Sequence, residues 1–319
     1  MDEFQELLAC PVCRSGLDRA WRCGICGSCY TASDGIPELR LKGDVRTEMV
    51  REFYSGAPFP GYRESDSLDH LRVRAERSTF ARLLDSAIPG DAKILEVGCG
   101  TGQMCLFLAR ADRLVVGADL TRASLLLGAE AARRFGVERV QFVETDLHSP
   151  GLKRGAFDVV YSLGVLHHTP DPQAAFARIV ELARPGGIIV IGLYNAFARL
   201  PLRLRRFVAR LTGYNFIPFD PVLKEREHER ERREAWLRDQ YLHPEEHRHT
   251  IAEVRSWFEQ SGVEYRRTYP SGLIGEDPGG LAAVEADAWG IESLLVQIGW
   301  MRTLSSEGGL FVTVGLRNA

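Results

Sequence analysis

At 319 residues, 45% of them hydrophobic and with a formal net charge of -3, the chain has material for one large domain plus a small one and enough apolar side chains to fill a core. That charge exerts no general pull on nucleic acid or anionic lipid, so either contact would need a local patch. No N-terminal stretch has the apolar centre of a signal peptide and no apolar run approaches a membrane span; the expectation is a cytoplasmic protein without stable membrane insertion, its 7 cysteines serving as metal ligands or buried thiols.

Most of those cysteines lie at the N-terminus, as Cys10-Pro11-Val12-Cys13 and Cys23-Gly24-Ile25-Cys26-Gly27-Ser28-Cys29. Two C-x-x-C pairs can present four thiolates tetrahedrally to zinc, with the neighbouring glycines letting backbone amides turn toward sulfur. Together with Tyr30 and Asp34-Gly35-Ile36-Pro37, this text resembles the zinc ribbon of the small activator subunit that binds tRNA, rRNA and release-factor methyltransferases, and is similar to the ribbon fused to rRNA guanine methyltransferases. The resemblance implies Cys10, Cys13, Cys23 and Cys26 as ligands; by spacing alone the set Cys10, Cys13, Cys26 and Cys29 stays open. A ribbon spanning 1–42 has too little core to fold alone, so Zn2+ would be structural.

From 43 to 90 two apolar-periodic stretches flank an aromatic loop, Phe53-Tyr54-Ser55-Gly56-Ala57-Pro58-Phe59-Pro60-Gly61-Tyr62. Tyr54, Phe59 and Tyr62 either close on a ligand as an N-terminal arm or pack between ribbon and core.

The core then alternates strands and helices, as a parallel sheet with helices on both faces requires. Lys93-Ile94-Leu95-Glu96-Val97 is an apolar strand that breaks into Gly98, Gly100 and Gly102. A dinucleotide turn needs G-x-G-x-x-G, and Gln103 occupies its last position, which disfavours a pyrophosphate. Leu114 to Asp119, Val140 to Glu144 followed by Thr145-Asp146-Leu147, and Phe157 to Ser162 supply three further strands, and Gly187 to Gly192 a fifth.

This succession resembles class I S-adenosylmethionine-dependent methyltransferases. The resemblance implies that Glu96, Gly98, Gly100 and Gly102 pass the methionyl part of the cofactor, that Asp119 with Leu120 meets the ribose, that Asp146 accepts from the adenine amine while Leu147 packs on its ring, that Ser162 opens the segment leading to the acceptor, and that Tyr54 covers the adenosyl group. The following Leu163 to Pro172 is similar to the corresponding segment of small-molecule methyltransferases, including those of quinone and secondary metabolism. Its histidines emerge beside the crevice, with His168 as first and His167 as second candidate for a base or acceptor-orienting group, or as loop packing. Asp171 before Pro172 reads as a helix N-cap.

An insertion at 193–250 leaves the carboxyl end of the fifth strand and should roof the acceptor site. It holds a helix near Pro201 with Leu204, Phe207, Val208 and Leu211 on one side and Arg203, Arg205, Arg206 and Arg210 around them, a face for RNA phosphates, a membrane surface or solvent. Its end resembles a D-x-x-x-H-P segment of related methyltransferases, offering Asp239, Tyr241 and His243 to the acceptor, or a hydrated loop fixed by Pro244; a second metal at His243 and His247 is a further option. Thr250-x-x-Glu253 opens a helix. Val263 to Tyr269 and Leu310 to Gly315 would close the sheet as an antiparallel pair, and the apolar stretch Trp289 to Leu304 reads as core or as a homodimer seam.

The expectation is therefore an α/β fold: a Rossmann-like seven-stranded class I methyltransferase sheet with helices on both faces over 91–319, plus a small N-terminal zinc ribbon. Its function would be S-adenosylmethionine-dependent methyl transfer to a small lipophilic or aromatic metabolite. The alternatives are a zinc-ribbon RNA methyltransferase and a non-catalytic cofactor-binding partner of another protein. Neither the Asn-Pro-Pro-aromatic motif of amino-adenine methylation nor a paired-cysteine mechanism is present.

Overall fold

The computed structural model describes residues 3–319 except 57, 215, 226–227, 243–245, 276–278, 282, 286–289 and 305–307, and at positions 230–232, 235 and 239 it describes the backbone. In chain order the strands are β1 (Thr31–Ser33), β2 (Ile36–Leu39), β3 (Lys93–Val97), β4 (Leu114–Asp119), β5 (Val140–Thr145), β6 (Phe157–Leu163), β7 (Ala183–Tyr194), β8 (Val263–Tyr269) and β9 (Leu310–Arg317). The helices are α1 (Val45–Ser55), α2 (Leu68–Glu76), α3 (Thr79–Ala87), α4 (Gln103–Leu108), α5 (Arg122–Phe135), α6 (Pro172–Val180), α7 (Leu200–Leu211), α8 (Pro221–Glu225), α9 (Arg230–Leu237), α10 (Ile251–Gln260) and α11 (Ile291–Thr303).

Helix starts follow local chemistry. Asp44, Ser67, Ser78, Asp171 and Thr250 each accept a backbone N–H from the first turn of α1, α2, α3, α6 and α10, satisfying donors that would otherwise lack a partner. Pro172 sits in the first turn of α6, where its missing N–H costs nothing.

One sheet runs β1-β2-β5-β4-β3-β6-β7-β9-β8. From β5 to β7 neighbours are parallel, and β9 lies antiparallel between β7 and β8. The closing pair is thus as expected, but the sheet is nine-stranded and not seven-stranded. The surplus is the ribbon hairpin β1–β2, whose second strand pairs parallel with β5 at Glu38↔Glu144 and Leu39↔Thr145. Without it β5 would be an edge presenting a row of unpaired backbone groups, and the ribbon covers that edge.

Alternating side chains divide the core between the two faces. Leu95, Val116, Val143, Val160 and Ile189 share one cluster with Phe4, Leu8, Cys10, Leu17 and Cys23 of the ribbon. Ile94, Val115, Phe142, Val159 and Val190 share the other with Leu71, Ala81 and Leu84 of α2 and α3. Each fully buried Leu or Phe contributes about 1.5–3 kcal/mol, so ribbon and sheet stabilise one another through a common apolar volume.

Helix α11 keeps its leucines outside the core. In α11 Ser293, Gln297 and Trp300 face inward while Leu294, Leu295 and Ile298 are exposed; Gln297 turns in because its amide accepts from Ile251 N–H and Asn195 Nδ2, both at 3.0 Å. Trp289 lies outside the described residues.

Candidate active site

Strand order reverses at β3, which pairs with both β4 and β6, and in open α/β sheets the crevice beyond the carboxyl ends at such a point is where ligands bind. A cavity of about 490 Å³ occupies that crevice. The turn after β3 forms its floor. Gly98 and Gly100 have φ of +72° and +52°, and a Cβ on them would stand 2.3 Å from the Val165 side chain and 2.5 Å from the Phe59 carbonyl oxygen. Only glycine fits there. Gly102 caps α4 in a left-handed conformation.

Carboxylates at consecutive strand ends give the cavity its polarity. Asp119, ending β4, accepts Gly100 N–H and Thr121 N–H, each at 2.8 Å; burial raises its pKa against the pull of those amides. Asp146, just beyond β5, accepts His148 N–H at 2.8 Å. Glu96 on β3 accepts Cys105 Sγ–H and Tyr161 O–H at 2.8 Å each, and burial pushes its pKa up to about 7 despite both donors. All three line the cavity, and among the described lining residues there is no lysine or arginine. A buried site of this sign favours a cationic ligand over a phosphate.

The segment before α2 lies over the floor as an arm. Thr101 Oγ1 donates to Pro60 C=O at 2.5 Å, Tyr62 O–H to Thr101 C=O at 2.7 Å and Gln103 Nε2 to Gly61 C=O at 3.1 Å. These bonds hold Phe59 and Pro60 against the cavity, which Tyr54 of α1 also lines. Gln103, which replaces a dinucleotide-type glycine, is therefore used to tether the arm.

The opposite wall comes from the loop after β6, the end of β7 and the insertion. Leu163, Gly164, Val165 and His168 line it, joined by Tyr194, Trp236, Gln240 and Leu310. Gln240 Nε2 donates to Tyr194 Oη at 2.9 Å. Arg199 lies over the Tyr194 ring at 3.7 Å, donates to Gly308 C=O at 2.9 Å and pairs with Glu246. Arg206 meets the same Glu246 at 2.6 Å. Burial alone would raise the Glu246 pKa, but the two guanidiniums hold it at about 2. This buried network fixes the insertion to the end of β7.

Of the residues expected at the cofactor, Glu96, Gly98, Gly100, Asp119, Leu120, Asp146, Leu147 and Tyr54 line the cavity. Ser162 is fully buried and donates to Val97 C=O at 2.9 Å, leaving the wall to the residues after it. His168 lines the cavity, whereas His167 stacks on Tyr194 at 3.8 Å beneath it. His243 and the Asp239 side chain lie outside the described residues. Tyr241 is committed to the insertion's own core, its hydroxyl donating to Asp220 at 2.6 Å. Sequence reasoning missed Tyr194, Trp236 and Gln240; ending the fifth strand at Gly192 concealed Tyr194, which β7 carries to the crevice.

At the ribbon, the sulfurs of Cys10, Cys13, Cys23 and Cys26 all lie within 4.8 Å of one another. Cys29 is exposed and points to Gly27 C=O. Sulfurs about 2.3 Å from a tetrahedral zinc stand nearly 4 Å apart, so the cluster fits that ion. Hydrogen bonds from Ser15 lower the Cys13 pKa to about 6, the direction a thiolate ligand needs.

Residues 95–191 match a family described as a methyltransferase domain. An uncharacterized protein of Synechococcus sp. is 29% identical over 249 residues, covering 70% of this chain and 60% of the relative. The ubiquinone biosynthesis O-methyltransferase of Saccharophagus degradans is 33% identical over 106 residues, 33% of this chain and 44% of that protein. The chain thus spans 60% or less of the length of these curated relatives. The magnesium protoporphyrin IX methyltransferase of Synechocystis superposes with a TM-score of 0.49 at 16% identity, over 86% of this chain and 100% of that one. The matched residues 95–191 run from β3 to β7, so the similarity to a methyltransferase domain covers the strands that surround the crevice at β3.

Proposed function

We propose that the chain is an S-adenosylmethionine-dependent methyltransferase whose acceptor is a small lipophilic or aromatic metabolite. The observation that carries this reading is the cavity itself, acidic at the strand ends, without a lysine or arginine among its described lining residues, and apolar under the insertion. The cofactor supplies, when bound, a methyl group already activated on a sulfonium. Asp119 would accept the ribose hydroxyls and Asp146 the adenine amine, with the glycine turn leaving room for close backbone approach. Tyr194, Trp236 and Leu310 would hold an apolar acceptor, so that most of the rate comes from alignment. His168 would orient the acceptor's nucleophilic atom or take its proton onto the imidazole. The similarity to an O-methyltransferase of ubiquinone biosynthesis supports a lipophilic acceptor. Zinc on Cys10, Cys13, Cys23 and Cys26 would be structural, remote from the transferred methyl.

The test is transfer of labelled methyl from S-adenosylmethionine. Label entering a solvent-extractable metabolite fraction is the expected result; label entering total RNA alone would overturn the acceptor class, and cofactor binding without turnover on any fraction would make the chain a partner protein.

A further inference from the structure

The insertion has a second apolar surface that the cavity does not use. On α7, Leu202 and Ala209 are buried against Leu223 and Tyr241. The opposite side of the same helix carries Leu200, Leu204, Phe207 and Leu211, exposed by 40%, 67%, 61% and 72%. Spaced at i, i+4, i+7 and i+11, they form one continuous stripe. The loop beyond α7 adds Phe216 and Phe219, the latter 92% exposed. Arg203 and Arg210, both exposed, border the stripe on one side, and the helix contains no acidic residue. Arg206, by contrast, turns inward to Glu246.

We propose that this outer face of α7, with Phe216 and Phe219, docks the protein on the surface of an anionic lipid bilayer. An amphipathic helix with large apolar side chains toward the acyl boundary and arginines at headgroup level is the arrangement that binds such a surface. Charge complementarity selects this occupant. RNA would engage the arginines and leave the leucines and phenylalanines in water, while a second copy packed antiparallel by this face about a twofold axis would set arginine against arginine. Lipid accommodates both features. The attachment is peripheral: among the described residues no helix is long and apolar enough to cross a membrane. With a net charge of -3, the molecule has no long-range pull to the membrane, so the local arginines must supply it. Trp236 of the insertion ties this face to the cavity wall, since it lines the cavity and packs against the apolar cluster under α7.

Co-sedimentation of the full chain with phosphatidylcholine vesicles, with and without phosphatidylglycerol, tests the proposal. Binding should be strong only with phosphatidylglycerol and should weaken with salt. The Leu204→Gln, Phe207→Gln, Leu211→Gln triple variant should lose at least ~10-fold in affinity. The Arg203→Gln, Arg210→Gln pair should lose about 20-fold on anionic vesicles and little on neutral ones. All five side chains are exposed, so circular dichroism should match the parent; if the triple variant is misfolded, the arginine pair decides. The proposal fails if the parent does not sediment with anionic vesicles, or if a folded triple variant binds like the parent. It also fails if light scattering finds a dimer that Phe207→Gln splits, or if the arginines bind RNA independently of the apolar stripe.

Discussion

Asp119 and Asp146 face the cavity from neighbouring strand ends, and each is already fixed by backbone amides, so neither must be ordered when a ligand arrives. Replacing Asp119 with alanine should weaken S-adenosylmethionine by at least ~10-fold in calorimetry, the loss expected for hydrogen bonds to a buried ligand; unchanged affinity would reject the ribose assignment. His168→Ala should lower kcat by roughly 10²-fold with cofactor affinity nearly intact, and normal turnover would reduce His168 to packing. The positions of these residues on the crevice were legible because apolar strands ending in a carboxylate or a glycine turn state where each strand stops. Trp236 and Gln240 were not, because they reach the cavity through the insertion's tertiary packing, which no local period encodes, and Tyr194 was not because β7 runs two residues past the apolar run that marked the strand.

At the scale of the element, Glu246 anchors the insertion. Its carboxyl titrates near 2, below the ordinary 4.5, so the folded chain binds fewer protons between those values. The pair's stabilisation is therefore in place above about pH 4.5 and drains away as pH falls through about 2. Glu246→Gln should cost about 3 kcal/mol, because Arg199 is left buried without its counter-charge. Denaturation measured from pH 5 down to 2 should flatten in the variant, and a parent-like slope would remove Glu246 from that role. The helical period located α7 and α11 correctly in the chain, yet periodicity does not say which side faces in. In α7 a short pair, Leu202 and Ala209, won the interior over the longer outer stripe, and in α11 the Gln297 amide did so over Leu294, Leu295 and Ile298.

For the whole molecule, the ribbon and the sheet share a core and a strand pairing. Stripping zinc should therefore lower the midpoint of the entire thermal transition as one step; a separate early transition with the main one unmoved would show an independent ribbon. Cys23→Ser should lose the metal and Cys29→Ser retain it, read by elemental analysis of protein purified without chelator. The cysteine spacing disclosed the cluster, since C-x-x-C geometry is local. It did not disclose that β2 extends the sheet, because pairing with β5 joins residues more than a hundred positions apart, as Leu39↔Thr145 does.

The arm's bonds to the glycine turn set an order of events. Thr101 and Gln103, which shape the floor, also hold Pro60 and Gly61 above it, so whatever rests on the floor is exchanged only when those bonds let go together. The insertion stands at the other end of the cavity, secured by a different set of contacts. If the proposed donor rests on that floor, its exchange would require the arm's bonds to release, whereas the acceptor would pass the insertion without disturbing them.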